Sequence, residues 1–296
     1  VSRLAVAALL GVALLLSGCS LFRRRAVVQT PAHYTVGEGY QLGGVWYYPR
    51  ERTEYDATGL AGIAPDHLGQ TADGEQFDQG ALAASHQTLQ LPAIARVTNL
   101  ENGRQILVRL NDRGPANPGR LIGLTRHAAA LLGARDGTEI RVQLDSEMSH
   151  SLADKLGGGR IAVAAAPLAA VQAESLAPPP GIAQSSRGRT VAGPVRDTAV
   201  TATGPVVPDR LPDQLSMVPA TPGSIYLRAS EFGRIDYAQR LAAQLTGLNP
   251  MIERVRDGRA ERYTVRAGPF TSVDAADAAL DQARRAGVID SRLVVE

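Results

Sequence analysis

The aromatic residues of this chain are placed so unevenly that it cannot fold as one evenly packed body. Residues 151–222 contain no Phe, Trp or Tyr and hold ten of the eighteen prolines. With Gly157-Gly158-Gly159 and Pro178-Pro179-Pro180 set among Ala, Val, Thr and Ser, the stretch has little apolar surface to offset a backbone entropy cost of about 1–2 kcal/mol per ordered residue. The reading is a disordered Pro/Ala-rich linker over residues 149–222 with a folded piece on each side. At 296 residues the length allows two domains. Six of the thirteen aromatics (Tyr34, Tyr40, Trp46, Tyr47, Tyr48 and Tyr55) crowd into one short stretch ahead of the first folded piece.

Charge and cysteine content exclude several classes. A net charge of +2, from 31 basic and 29 acidic residues, gives no broad field of the kind nucleic-acid binders use, so no nucleic-acid partner is expected. One cysteine rules out an intrachain disulfide and thiol-rich zinc sites. That cysteine lies in Leu16-Ser17-Gly18-Cys19, after Arg3 and an apolar run over residues 4–16. The run is too short to span a bilayer as a helix and suits the h-region of a secretory signal. The arrangement is similar to a bacterial lipoprotein signal, with residues 1–18 removed and Cys19 lipidated; the alternative is an ordinary signal peptide with a chance cysteine. Several acyl chains, at about 0.8 kcal/mol per buried methylene, would hold residues 19–54 to a membrane as a lipidated tether. Ser20 in place of Asp favours the outer membrane, and Arg23-Arg24-Arg25 reads as a headgroup-facing run.

Residues 55–148 read as short β runs punctuated by turn residues. Residues 94–100 and 105–110 flank Asn102-Gly103, a hairpin signal. Residues 138–144 alternate Ile140, Val142 and Leu144 against Arg141 and Gln143, the pattern of a half-buried strand. Residues 125–132 form one clear helical run stopped by Gly133. Residues 223–296 read as a βαββαβ order. Strands are expected at 226–232, 251–256, 261–267 and 291–295, with helices at 236–245 and 272–286.

Four blocks carry a family resemblance: Gln70-Thr71-Ala72-Asp73-Gly74-Glu75-Gln76-Phe77-Asp78, residues 82–92 from Leu82 through His86 to Pro92, residues 96–104 around Asn102-Gly103, and Val108-Arg109-Leu110-Asn111-Asp112-Arg113-Gly114-Pro115. In this order they resemble rare lipoprotein A. The resemblance implies a multidomain protein: an all-β six-stranded double-psi β-barrel and a small α+β SPOR domain of βαββαβ order. The lead-in over residues 43–49 is also found in some members. The implied activity is endolytic cleavage of peptidoglycan glycan strands lacking stem peptides, by a lytic transglycosylase that forms 1,6-anhydro ends during septation. Division-site proteins are possible partners and no cofactor is implied.

The resemblance places Glu75, Asp78, His86 and Asp112 on polar groove positions, with Asp112 as general acid/base and Glu75 orienting it or supporting an oxocarbenium charge. His86 is implied to bind the sugar or a carboxyl group, and Asp78 to stand behind these groups. Taken alone, Asp112 also fits a turn before Gly114-Pro115 paired with Arg113, Glu75 a surface turn, His86 a satisfied half-buried histidine, and Asp78 a turn cap before Gly80. His67, His86, Asp66 and Asp112 show no compact ligand spacing, so no metal is expected. In the second piece, Tyr226, Arg228, Tyr263 and Arg266 are glycan-binding candidates if glycan lies on the open sheet face, although alternation allows some of them to be core. The chain lacks the aromatic pair the family carries after Gly59-Leu60-Ala61, and has Gly123 where the family has Asp. These departures define the alternative: a non-catalytic septal peptidoglycan-binding lipoprotein.

Overall fold

The computed structural model describes residues 31–157, 207–257 and 260–296. The expected signal peptide, Cys19 and the centre of the expected linker lie outside the described residues. The first folded piece is a closed barrel. Its strands are β3 (Asp56–Ile63), β4 (Ala83–Ser85), β5 (Ala93–Asn99), β6 (Arg104–Asp112), β7 (Ile122–Leu124) and β8 (Glu139–Leu144), after a small hairpin of β1 (Tyr40–Leu42) and β2 (Val45–Tyr47). The barrel order is β4-β7-β3-β8-β5-β6, and pairing of β6 with β4 closes it. Two pairs, β3 with β7 and β4 with β6, are parallel; the others are antiparallel. This is the mixed six-stranded double-psi barrel expected from the sequence.

The interior explains how so few aromatics suffice. Leu89, Leu91, Ile94, Ile106, Leu110, Ile122, Leu124, Leu132 and Ile140 are fully buried aliphatics in one cluster, each contributing about 1.5–3 kcal/mol on burial. The Asn102-Gly103 turn joins β5 to β6 as expected, with Gly103 at φ +75°. Helix α1 (Arg126–Leu132) starts at Thr125, whose hydroxyl accepts from the Ala128 N–H, and ends at Gly133 in the left-handed region.

The linker expectation is corrected at both ends. Residues 146–155 form a second helix, α2 (Ser146–Lys155), capped by Asp145 and burying Leu152 and Ala153. Residues 207–222 lie along the barrel. Val207 and Leu211 join its core, and β9 (Ser216–Met217) pairs with the start of β6. The Val218 and Thr221 N–H groups donate to Gly103 O and Leu100 O. A β-carbon on Gly103 would lie 2.0 Å from Val218 O, so only glycine admits this strap. Composition missed it because its backbone bonds to a sheet edge and two aliphatics supply what aromatics would otherwise give.

The tether reading of residues 19–54 is corrected over residues 31–54. Thr35 bridges Leu91, Tyr40 Oη donates to Gln87 O, and Arg113 Nη2 donates to Val36 O. Within the lead-in, Tyr40 and Tyr47 face each other across the β1–β2 hairpin with rings 5.8 Å apart, whereas Trp46 and Tyr48 stay exposed.

The C-terminal piece has the expected order: β10 (Ile225–Phe232), α3 (Ile235–Gln244), β11 (Pro250–Asp257), β12 (Ala260–Phe270), α4 (Val273–Arg285) and β13 (Arg292–Val295). The antiparallel sheet runs β11-β12-β10-β13. This sheet docks on the barrel. Strand β3 is buried on both faces: Ala61 points into the barrel, whereas Leu60, with Leu100, packs among Ile225, Leu227, Leu293 and Val295. Thr58 Oγ1 donates to Val295 O at 2.6 Å. Arg120, whose side chain is 4% exposed, reaches Asp136 at 2.7 Å and α4's Asp277 at 2.8 Å. Burial works against its charge, but the two carboxylates outweigh it and raise the guanidinium pKa.

Because both acids keep some contact with solvent, Arg120→Met is expected to lower unfolding free energy by about 1–3 kcal/mol. Asp277→Asn, which leaves Asp136 in place, should cost less. Urea melts with coincident midpoints for all three proteins would show that the triad holds nothing.

Candidate active site

Asp112 ends β6 where the chain leaves the barrel wall. Its Oδ1 accepts from the Ala72 N–H at 3.0 Å and the Arg113 N–H at 2.8 Å. Its Oδ2 faces His67 Nε2 at 3.4 Å, and the His67 ring stacks on Phe77 with centroids 3.9 Å apart. The carboxylate is thus fixed from one side and partly exposed on the other, and its neighbour His67 lines a depression of about 480 Å³ with Asp66, Phe77 and Asp78. Arg113 does not pair with it. The guanidinium donates to Leu89 O and Val36 O instead, pinning the loops beneath.

Glu75 sits in a second cluster on the same 70–75 loop. Its carboxylate accepts from Asn111 Nδ2 at 2.9 Å and pairs with Arg109. Asp73 lies beneath, fully buried, with Oδ1 accepting from Thr71 Oγ1 and the Glu75 N–H and Oδ2 without a partner. Burial, and then the negative charge of Glu75, push the Asp73 carboxyl up to about 6. Asp78 caps the turn through the Gly80 N–H and lies 3.6 Å from Arg210 of the returning strap. A second depression of about 250 Å³, lined by Glu75, Asp78, Arg109, Asn111 and Arg210, meets the first at Phe77 and Asp78.

His86 does not reach this surface. Its Nδ1 accepts from the Thr88 and Leu89 N–H groups at 3.1 Å, which places the ring proton on Nε2, 3.2 Å from Tyr55 Oη. Burial, with Arg113 and Arg52 nearby, pushes its pKa down to about 3. The implied sugar-contacting role of His86 is therefore corrected: it is a neutral, satisfied histidine whose backbone N–H donates to Asp112 O. The histidine at the carboxylate is His67, which the sequence reading considered only as a metal ligand. Arg109 and Asn111 were also missed, although their i, i+2 spacing on a strand places both on one face.

On the C-terminal sheet, Tyr226, Arg228 and Arg266 share the face opposite the helices. The Arg266 guanidinium lies 4.4 Å from the Tyr226 ring centroid, and both arginines pair with Glu296. Tyr263 is corrected: it packs on the helix-covered core, its Oη donating to Glu261.

A family model described as Lytic transglycolase matches residues 55–144, and one described as SPOR domain matches residues 221–291. A protein named endolytic peptidoglycan transglycosylase RlpA in Escherichia coli (strain K12) is 42% identical over 115 residues, 38% of this chain and 32% of that protein. The chain thus spans about a third of the length of the enterobacterial relatives it matches. A protein of the same name in Pseudomonas aeruginosa (strain UCBPP-PA14) is 30% identical over 262 residues, 86% of this chain and 75% of that protein. This chain belongs to the RlpA family. A solved SPOR domain of RlpA from Pseudomonas aeruginosa is 29% identical, covering 24% of this chain and 99% of that one, with a TM-score of 0.23.

Of the two departures read from the family resemblance, Gly123 lies where the packing leaves little room for a side chain. A β-carbon at 123 would lie 2.5 Å from Ser85 Oγ, which occupies the space above β7. Gly123→Asp alone should therefore cost about 1–3 kcal/mol through overpacking. Ser85→Ala combined with it should recover most of the loss in thermal melts, and no recovery would mean that the strain lies elsewhere. For Asp73, the folded chain holds a proton that the unfolded chain, with an ordinary carboxyl pKa near 3.8, gives up. Its contribution to stability therefore falls as pH rises from about 4 to about 6 and stays lost above. Asp73→Asn should remove that slope and raise stability at pH 7 by up to about 3 kcal/mol. Parallel pH–stability curves for the two proteins would contradict this.

Proposed function

We propose that this chain is an endolytic lytic transglycosylase acting on denuded peptidoglycan glycan strands, with Asp112 as its acid and base. The observation that carries the proposal is the Asp112 carboxylate, with one oxygen fixed by two backbone N–H groups and the other facing His67 beside an open depression. Breaking a glycosidic bond needs a proton at the leaving oxygen. In its acid form Asp112 donates that proton as the C1–O bond breaks. The resulting carboxylate then takes the proton of the sugar's own C6 hydroxyl as that oxygen bonds to C1. The product is a 1,6-anhydro ring, no water is consumed and Asp112 ends protonated. One carboxyl group performs both steps, so a second is not needed to activate water.

His67 positions the Oδ2 side of Asp112 and, stacked on Phe77, gives the sugar a partly aromatic edge. Glu75, bridged to Arg109 and Asn111, supplies negative charge along the groove where positive charge develops at C1. Asp78 fixes the wall with Arg210, and His86 supports Asp112 through the backbone. The SPOR domain contributes Tyr226, Arg228 and Arg266 for binding the strand.

Cys19 is the lipidation site in this reading, supported by Leu16-Ser17-Gly18-Cys19. It anchors the protein in the outer membrane facing the periplasm, with SPOR binding enriching it at the septum. The alternative of a non-catalytic glycan binder draws support from the stretch Gly62-Ile63-Ala64-Pro65-Asp66, which has no aromatic side chain.

With amidase-stripped glycan, the soluble chain from Ser20 onward is expected to yield 1,6-anhydro ends by mass spectrometry. Asp112→Asn should reduce them by at least about 100-fold while still co-sedimenting with glycan. Sedimentation without anhydro ends in the parent protein would leave the binder reading standing, and full activity of Asp112→Asn would move the acid/base role elsewhere.

A further inference from the structure

The sheet face that carries Tyr226 and Arg228 is not open along its whole width. Docking on β3 makes its β13 side one wall of a cleft of about 900 Å³, whose other wall is the barrel. Arg292 stands opposite Arg228 in the sheet register. Across the seam lie Arg52, Tyr55 and the Asp56–Arg141 pair. Domain seams of this kind are common places for ligands.

The charges in the cleft do not balance. Asp56 is taken by Arg141 and Gln143, and Glu296 by Arg228 and Arg266. Arg52 and Arg292 remain, one from each wall, and among the described residues neither guanidinium has an ion-pair partner. Both line the cleft together with Tyr55, and the Arg52 guanidinium lies 6.0 Å from the Tyr55 ring centroid. Glu54 is the one other acid lining the cleft. A carboxylate that enters a cleft lined by two guanidinium groups without ion-pair partners meets a favourable field and can gain charge-assisted hydrogen bonds from them.

We propose that Arg52 and Arg292 form a carboxylate-reading site in this cleft, and that its ligand is the free lactyl carboxylate of a denuded glycan strand. The inference rests on the glycan reading above and deepens it. In an intact strand the lactyl group is an amide to the stem peptide and carries no charge. Removing the peptide leaves a carboxylate on every second sugar. Selection for stripped glycan then follows from charge as well as from room, and neither domain supplies the pair by itself. The floor of the cleft also touches the catalytic side, since Tyr55 Oη meets His86, whose N–H donates to Asp112 O.

The test compares amidase-stripped glycan with the same glycan after its carboxylates are capped as methylamides, using the soluble chain from Ser20 onward carrying Asp112→Asn so that strands stay intact. Affinity is read by co-sedimentation at fixed salt. Free-carboxylate glycan is expected to bind about tenfold more tightly than capped glycan. Arg52→Gln, on an exposed segment outside both sheets, should lose most of that preference, and Arg52→Gln with Arg292→Gln all of it, with binding to capped glycan unchanged. Equal binding of capped and free glycan by the parent, or a preference surviving in the double variant, overturns the proposal. Failure of the parent to bind either glycan instead overturns the glycan reading on which it stands.

Discussion

The structure depends on one buried cation at the seam between its two domains. Arg120 enters from the loop before β7 and ties two carboxylates, Asp136 of the barrel and Asp277 of the SPOR helix, in one triad. An arginine placed so deeply needs carboxylate partners to hold its charge, so the barrel's own loop geometry and the SPOR docking are linked through it. Around it, β3 is sandwiched, giving Ala61 to one core and Leu60 to the other. A barrel strand that serves as a domain interface gives its outer face to the second domain, Leu60 by packing and Thr58 by a hydrogen bond to Val295 O. The position of the second domain is therefore part of the barrel's stability, not an addition to it.

From that arrangement follow two surfaces with different physics. At one, the 70–75 loop is folded over the end of β6, so that the backbone of Ala72 holds Asp112 while Glu75, on the same loop, is held by Arg109 and Asn111. A short segment positions both carboxyl groups, and the buried Asp73 beneath it ties loop conformation to proton occupancy. At the other, docking turns one side of the SPOR sheet into a cleft wall.

Much of the fold was legible in the sequence because local rules and the global fold agree there. Asn102-Gly103 set the hairpin, Thr125 and Gly133 bounded α1, and alternation in residues 138–144 marked β8. The site was half legible. Family blocks led to Asp112, which the Ala72 and Arg113 N–H groups hold, and to Glu75, which Arg109 and Asn111 hold. The same blocks gave no sign that His86 is consumed by the Thr88 and Leu89 N–H groups, or that His67, from a loop with no periodicity, meets Asp112. Contacts of that kind join residues far apart in the chain through loop geometry, which neither spacing nor composition encodes. The strap over residues 207–222 was illegible for a different reason. Its order comes from backbone hydrogen bonds to β6 and its turn, and a sequence rich in proline and poor in aromatics can make those once a glycine such as Gly103 lets it approach.

The central claim, that barrel and SPOR domain form one docked unit around the Arg120 triad, is tested most directly by a distance between them. The soluble chain from Ser20 onward contains no cysteine, so spin labels at Glu147→Cys on α2 and Asp290→Cys beside β13 report a single interdomain pair. Pulsed electron paramagnetic resonance should give one narrow distance distribution in the absence of glycan. A broad, featureless distribution, as two domains on a free tether produce, would contradict the account.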